Sequence, residues 1–251
     1  MDEDTLDTTP SHSNDLLRKT TPDGAIIWTD RVGVELQYAC TNERIEAVLA
    51  GFGTQIQLLP QRILAIGGSG DIPFALLPYV KELIVVDSNS AQISLIRRRV
   101  ELLRRKDFHT FLHEDIKGKR DDDLRRGRDA RMRFFQPDLL DRTSIFLDRL
   151  KILDPCDILT GLGLIPGPYT GIYASNILGI LPNGKDQIPK YIESFESNLS
   201  DQGLLYVADG DQIEKLGIRL SIDSNLTNDA RKFGTNVAGL PAVHRKSIFQ
   251  R

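Results

Sequence analysis

An apolar run that ends in glycines, followed after a helix-length gap by a second apolar run that ends in an acid, leaves a chain few folds to choose from. Residues 61–103 read QRILAIGGSGDIPFALLPYVKELIVVDSNSAQISLIRRRVELL. Ile63-Leu64-Ala65-Ile66 is continuous and apolar, as a strand buried on both faces requires. Gly67-Gly68-Ser69-Gly70 follows at once. A turn that tight needs residues without a Cβ, and the missing side chains let a ligand approach the backbone. Asp71 and Pro73 then open a helix, proline being tolerated in a first turn. Leu83-Ile84-Val85-Val86 is a second buried strand, and it ends in Asp87. A carboxylate at that strand tip, about 20 residues after the glycines, is placed to accept from both hydroxyls of a ribose. The unit predicts a nucleoside-cofactor site.

The remaining chain extends the pattern. Residues 1–23 are rich in Asp, Thr and Ser and read as a flexible tail, with Leu16-Leu17 as the point where it docks. Residues 24–60 form an N-terminal helical extension, with a helix expected over 34–50 and ended by Gly51. Residues 61–251 are the cofactor-binding domain. Ser88-Asn89-Ser90 caps the next helix, whose Ile93, Ile96, Val100 and Leu103 share one face. The arginines of its other face, and the mixed-charge run 117–133, read as solvated surface. A third strand is expected over 132–138 and a helix over 143–153. A loop forming part of the active-site wall is expected over 157–169, a fourth strand over 171–178, a helix over 187–199 and a fifth strand over 204–209. Residues 244–250 read as a last strand, antiparallel to the rest. This alternation predicts an α/β, Rossmann-like, doubly wound and mostly parallel sheet. Ligands in such sheets bind beyond the carboxyl ends of the strands. The residues expected there are Gly67 to Asp71, Asp87, Asp138, and Ser175 with Asn176.

Charge and cysteine usage narrow the partners. A formal net charge of −3 over 251 residues is not the field of a nucleic-acid binder. The two cysteines, Cys40 and Cys156, have neither CxxC spacing nor neighbours that suggest a zinc site, which favours a reducing, cytoplasmic setting. No apolar run approaches the roughly 18 residues of a membrane span, and the acidic start is unlike a signal peptide. His109 and His113 stand four apart, but without a third ligand nearby no metal site is expected.

Three nucleoside cofactors suit this architecture. A dinucleotide site wants G-x-G-x-x-G, but Pro73 stands where the third glycine belongs; a P-loop wants a Lys-Ser/Thr pair after the glycines, and there is none. S-adenosyl-L-methionine sites use a glycine turn, an acid at the second strand tip for ribose, and often an acid after the third strand for the adenine amino group. Gly67 to Gly70, Asp87 and Asp138 match that set.

Four blocks, in order and spread over roughly half the chain, resemble a known family. They are Tyr38 to Arg44, Ile63 to Asp71, Val85 to Leu95 (with Gln92 after the acid), and Ser175-Asn176-Ile177. The chain resembles the class I S-adenosylmethionine-dependent transferase superfamily. More narrowly, it is similar to the 3-amino-3-carboxypropyltransferases typified by betaine-lipid synthase. The resemblance implies S-adenosyl-L-methionine as cofactor, held by Gly67, Gly68, Ser69, Gly70, Asp71, Asp87, Ser88, Gln92, Asp138 and Ser175. It departs from methyltransferases at Ala65, where they usually carry an acid that helps hold the methionine amino group.

The cofactor's sulfonium carries three carbons, and the one transferred is the one presented to the nucleophile. The expected reaction moves the 3-amino-3-carboxypropyl group to a small-molecule amine or hydroxyl. Methyl transfer is the alternative, and a non-catalytic binding domain the second. Asp71 is expected to hold the methionine amino group, Asp138 the adenine. Tyr38, Glu43 and Asn176 are the candidate catalytic residues, with Asn42 beside them, for positioning the acceptor or taking its proton. Each has a plainer role open to it. Asp71 can serve the helix dipole, Asp138 a helix cap, Ser175 and Asn176 a turn, Glu43 the surface, and Tyr38 packing.

Overall fold

The computed structural model describes residues 16–53, 61–120, 124–179, 184–208, 210, 220–233 and 240–247. Among the described residues seven strands form one sheet, and a separate two-stranded hairpin precedes it. The hairpin pairs β1 (Leu17–Thr20) with β2 (Ile26–Thr29) antiparallel. The sheet takes β3 (Arg62–Ile66), β4 (Glu82–Val86), β5 (Leu150–Ile152), β6 (Tyr169–Tyr173), β7 (Leu199–Val207), β8 (Leu220–Ile222) and β9 (Ala242–Lys246). Their spatial order is β5-β4-β3-β6-β7-β9-β8. β3 to β7 run parallel, and β9 runs antiparallel to both β7 and β8. The doubly wound, mostly parallel α/β sheet expected from the sequence is therefore the fold.

Both faces of the central strands are covered. Ile63, Ala65, Leu83 and Val85 point into one core, while Leu64, Ile84, Val86 and Ile172 point into the other. Each fully buried Val, Leu or Ile side chain among them contributes about 1.5–3 kcal/mol. The first core is closed by α1 (Ile45–Gly51), α2 (Asp71–Leu76), α3 (Ser90–Arg104) and α9 (Ser224–Arg231). The second is closed by α7 (Ile158–Leu164) and α8 (Ile188–Asn198). Asn89 caps α3 as expected, its side chain accepting from the Ala91 and Gln92 N–H groups. The chain winds outward from β3 through β4 to β5, then returns to the other side of β3 as β6. That reversal opens a crevice above the ends of β3 and β6.

Several sequence expectations are corrected. Residues 132–138 are not a strand: they belong to the end of α5 (Leu124–Phe134) and the start of α6 (Pro137–Ile145). Pro137 sits in the first turn of α6, where it needs no N–H partner. The third strand is instead β5, inside the segment expected to be helical to 153, because α6 ends at Ile145 and a 3-10 turn leads out of it. The 157–169 loop contains α7, and β6 stops at Tyr173 rather than running to 178. Of the helix expected over 34–50, only 45–50 is helical, in α1. Segment 34–44 is instead tied down by backbone bonds to other elements, including Leu36 N to Trp28 O at 2.8 Å. Order also begins before residue 23, since Leu16 and Trp28 pack against Leu36, Ala39, Ala91, Leu95 and Ile116. The N-terminal extension is thus a hairpin, an extended segment and one short helix. The last strand is antiparallel as expected, over 242–246. Residues 1–15, 55–59, 121–123, Asp209 and 248–250, on which parts of the tail, the lead into β3, the charged run, the fifth strand and the last strand fall, lie outside the described residues. Among the described residues no helix is long and apolar enough to cross a membrane. The α4 helix (Phe108–His113) brings His109 and His113 to 4.7 Å between ring centroids. Among the described residues no group of three or more His, Cys, Asp or Glu is arranged to hold a metal ion.

Candidate functional site

The crevice above β3 and β6 holds a cavity of ≈ 530 Å³. Its floor is the turn after β3. Gly67 donates to Val86 O at 2.8 Å, and Gly70 donates to Gly67 O at 2.8 Å, closing the turn. The glycines there answer different needs. A Cβ on Gly67 would stand 2.7 Å from Ile96 Cδ1, so packing against α3 demands that glycine, while Gly70 has φ +85 as the N-cap of α2 and a Cβ there would also stand 2.9 Å from Phe74. Gly68 has φ +49, and a Cβ there would meet nothing within 4 Å. It is the one glycine of the turn with open space before it, and it lines the cavity.

Asp87 closes the next wall. Its Oδ2 accepts from Gly68 N at 2.8 Å, and its Oδ1 from Asn89 N at 2.9 Å. Burial pushes its carboxyl up to about 6, against the pull of those two hydrogen bonds. Ser88 is exposed beside it, and Cys156 donates its backbone N–H to Asp87 O at 3.0 Å. Asp157 follows as the N-cap of α7, accepting from Leu159 N and Thr160 N. Ile66, Val86, Ile158, Ile177 and Tyr191 supply an apolar lining.

A roof is formed by segment 37–43, and its attachment explains several of the residues expected at the site. Gln92 Oε1 accepts from Gln37 N and Tyr38 N, both at 2.9 Å, while its Nε2 donates to Tyr38 O at 2.9 Å and Gly68 O at 2.5 Å. An amide has two acceptor and two donor positions, so all four are spent on protein backbone. Gln92 lines the cavity as a brace and offers a ligand no further hydrogen bond, which corrects its expected role.

Asp71 is corrected more sharply. It is 0% exposed and faces away from the cavity into a charge network. Arg131 Nε donates to its Oδ1 at 2.8 Å, and Thr41 N and Ser69 Oγ each reach its Oδ2 at 2.9 Å. Arg99 stands 3.6 Å away, and its own Nε donates to Glu114 at 2.9 Å. Both arginines also donate to Ala39 O, at 2.8 and 2.6 Å. Burial alone would raise the Asp71 carboxyl, but the two guanidiniums hold it below its ordinary value. Asp71 therefore fastens the roof to the glycine turn. Arg99 and Arg131 do the fastening; Arg131 lies in the run read from sequence as solvated surface, and Arg99 was assigned to neither face of its helix.

Asp138 lies in the exposed first turn of α6, outside the cavity, because the strand it was expected to end is a helix. The acid beyond the true third strand that lines the cavity is Asp157.

Glu43, Ser175 and Asn176 do come together. Glu43 is 5% exposed, and Ser175 Oγ donates to its carboxylate. Ser175 has φ +50, a left-handed backbone that costs a serine about 1 kcal/mol and turns its hydroxyl toward Glu43. Tyr173 joins them: burial first, then the neighbouring Glu43 carboxylate, push its phenol well above the usual value, so it stays protonated. Tyr173 was missed because a tyrosine inside an apolar strand reads as core. Tyr38 lines the opposite side, its Oη accepting from Arg120 Nη1 at 3.3 Å.

The cavity wall thus carries the carboxylates of Glu43, Asp87 and Asp157, and Arg120 is the one cationic side chain in it among the described residues. Such a site suits a cationic or zwitterionic ligand and opposes a polyphosphate. Phosphates also favour a helix N-terminus, and at α2 that position is taken by the buried carboxylate of Asp71.

No family model matches the chain, and no curated protein matches it. Among solved structures it is similar to the N-methyltransferase NodS from Bradyrhizobium japonicum WM9 in complex with S-adenosyl-L-homocysteine, at 14% identity and TM-score 0.46, covering 81% of this chain and 85% of that one. It is also similar to the putative methyltransferase yhhF from Escherichia coli, at 14% identity and TM-score 0.47, covering 86% and 94%. A third is the plantazolicin methyltransferase BpumL in complex with SAH, at 12% identity and TM-score 0.43, covering 82% and 83%.

Proposed function

We propose that this chain is an S-adenosyl-L-methionine-dependent transferase acting on a small-molecule amine or hydroxyl. The observation that carries it is Asp87 at the tip of β4, bonded to the N–H of a glycine whose open face looks into an anionic cavity. In this reading the two carboxylate oxygens of Asp87 accept from the ribose hydroxyls, each keeping a lone pair beyond its backbone bond. Gly68 lets the adenosyl group lie against the backbone, and Asp157 and Ser88 face the base. Ser69, Ser175 and Asn176 line the rest. S-adenosylmethionine supplies a sulfonium whose attached carbons are electrophilic. Glu43 accepts the proton of the attacking amine or hydroxyl, held in place by Ser175 and Tyr173.

The transferred group depends on which carbon faces the acceptor. The aminocarboxypropyl reading leaned on Asp71 as a grip for the methionine amino group, and the burial of Asp71 against Arg131 removes that support. Methyl transfer is therefore the first reading. Aminocarboxypropyl transfer is the second, kept by Ala65, whose side chain is buried in the core and brings no acid to the methionine end. The two separate by product. S-adenosylhomocysteine is expected from methyl transfer and 5′-methylthioadenosine from aminocarboxypropyl transfer, read by chromatography after incubation with a panel of amines and alcohols. Calorimetry is expected to show binding of S-adenosylmethionine and S-adenosylhomocysteine but not of NAD or ATP. A protein that binds the phosphates and ignores the sulfonium refutes the proposal, and cofactor binding with no product from any acceptor turns it toward a non-catalytic binding domain.

The glycine turn offers a second check. Gly67→Ala drives a Cβ into Ile96 and is expected to lose about 1–3 kcal/mol of stability. Gly68→Ala loses about 1 kcal/mol to its left-handed φ, but its methyl stands in the ligand's space. Gly68→Ala should thus weaken S-adenosylhomocysteine binding by more than roughly tenfold, or 1.4 kcal/mol, beyond the effect on denaturation midpoint.

A further inference from the structure

We propose that Arg120 and Tyr38 form a carboxylate-recognition site at the edge of the cavity, which takes the planar anionic end of the bound ligand. The inference rests on the nucleoside reading above and specifies a part of the ligand that reading leaves open.

Arg120 is held there by backbone. Lys119 N donates to Leu36 O and Arg120 N to Gln37 O, both at 2.9 Å. Gly118 permits the approach, since a Cβ on it would stand 2.4 Å from Gln37 O and 2.6 Å from Tyr38 N. The guanidinium then lies 6.0 Å from the Tyr38 ring centroid, with Nη1 donating to the phenol oxygen at 3.3 Å. A phenol that accepts from arginine keeps its own proton to give, and a guanidinium has five N–H donors. The pair therefore presents donors and no acceptor charge. Nearby arginines are already matched: Arg97 with Asp154, Arg98 with Glu114 and Arg128 with Asp115. Among the described residues no carboxylate pairs with Arg120.

The rest of the cavity sets the ligand class. Glu43, Asp87 and Asp157 repel a dianion such as phosphate. A single carboxylate in a ligand that also carries positive charge meets one planar fork of matching geometry. That carboxylate belongs either to the amino-acid end of the cofactor or to the acceptor.

Calorimetry on wild type, Arg120→Ala, Arg120→Lys and Tyr38→Phe separates these sources. The titrants are S-adenosylhomocysteine, decarboxylated S-adenosylmethionine and 5′-methylthioadenosine. If the cofactor supplies the carboxylate, Arg120→Ala weakens S-adenosylhomocysteine by roughly 10- to 100-fold. It leaves the two titrants without a carboxylate within about twofold, and Arg120→Lys recovers part of the loss by keeping the charge without the fork. If the acceptor supplies it, S-adenosylhomocysteine affinity is unchanged. The wild-type protein saturated with S-adenosylhomocysteine then binds propionate, seen as saturable amide shifts at residues 118–120, and Arg120→Ala does not. Equal weakening of all three titrants, or unchanged affinity with no propionate response, overturns the site while leaving the nucleoside reading intact. Wild-type protein that binds none of the three overturns both.

Discussion

Asp87→Asn is expected to make the ligand-free protein more stable at neutral pH while removing its capacity to hold a ribose. Asp87 is pushed by burial from an ordinary value of 3.8 to about 6. A carboxyl that holds its proton more tightly in the folded chain than in the unfolded one destabilises the fold once ionised. That cost is absent below pH 3.8, grows between 3.8 and about 6, and is constant above, where it amounts to roughly 3 kcal/mol. Asparagine never ionises, so it relieves the cost. It also keeps only one acceptor oxygen for the two N–H groups of Gly68 and Asn89, which gives back about 1 kcal/mol or more. The net expectation at pH 7.5 is a gain of about 1–2 kcal/mol, shrinking and reversing by pH 4, where wild type is protonated too. Urea denaturation at the two pH values reads this directly. Binding moves the opposite way. A charge-assisted hydrogen bond contributes about 1.5–3 kcal/mol, so losing the ionised partner of two ribose hydroxyls should weaken S-adenosylhomocysteine at least 100-fold. In wild type the same affinity should fall as pH drops below 6. A variant that is less stable at pH 7.5 and binds as well as wild type sinks both the burial argument and the ribose assignment.

The centre of the fold was legible because its physics is local. β3, β4 and the glycine turn are spelled in consecutive residues, and Asp87 follows its strand directly. β5 was hidden because it is three residues long, only partly buried, and at the sheet edge. Its place was given to 132–138, where Phe134-Phe135-Gln136-Pro137 mimics an apolar strand and its break. That single exchange carried Asp138 into the expected site and left Asp157 as only the start of a loop at the site's wall. The candidate site was legible where a residue stands at a strand tip, as Ser175 and Asn176 do. It was illegible where a charge is buried. Arg99 stands three residues after Ile96 and four before Leu103, so helical spacing puts it on the inward face of α3, but its place inside an arginine run hid it. Arg131 is matched by a carboxylate 60 residues away, and such long-range pairing leaves no periodicity behind.

Arg131→Met is expected to have the largest effect on stability of any change near the site. Arg131 is 1% exposed and Asp71 0%, so the pair is dry. Removing one partner of a buried pair typically costs about 3–5 kcal/mol, because the other charge is left behind. Arg99 at 3.6 Å only partly compensates, since its Nε is committed to Glu114. Against a whole-domain stability of about 5–15 kcal/mol, the variant should unfold at markedly lower urea concentration. Asp71→Asn together with Arg131→Met should be less damaged than the two single changes added, as neither charge is then stranded. The network also decides where the roof sits. Ala39 O and Thr41 N are held by Arg99, Arg131 and Asp71, and Tyr38 and Glu43 lie on either side of those anchors. Arg131→Lys keeps the charge but cannot span Asp71 and Ala39 O with one planar fork. It should fold, with a loss of about 1–3 kcal/mol, yet hold residues 38–43 loosely. Faster amide exchange confined to 38–43, with exchange in β3 and β4 unchanged, is the expected signature. Uniformly faster exchange across the sheet would mean that the network supports the whole domain and has no special hold on the roof. The double cycle distinguishes the same alternatives by energy, because a roof held through Asp71 requires a coupling of at least about 1 kcal/mol between positions 71 and 131.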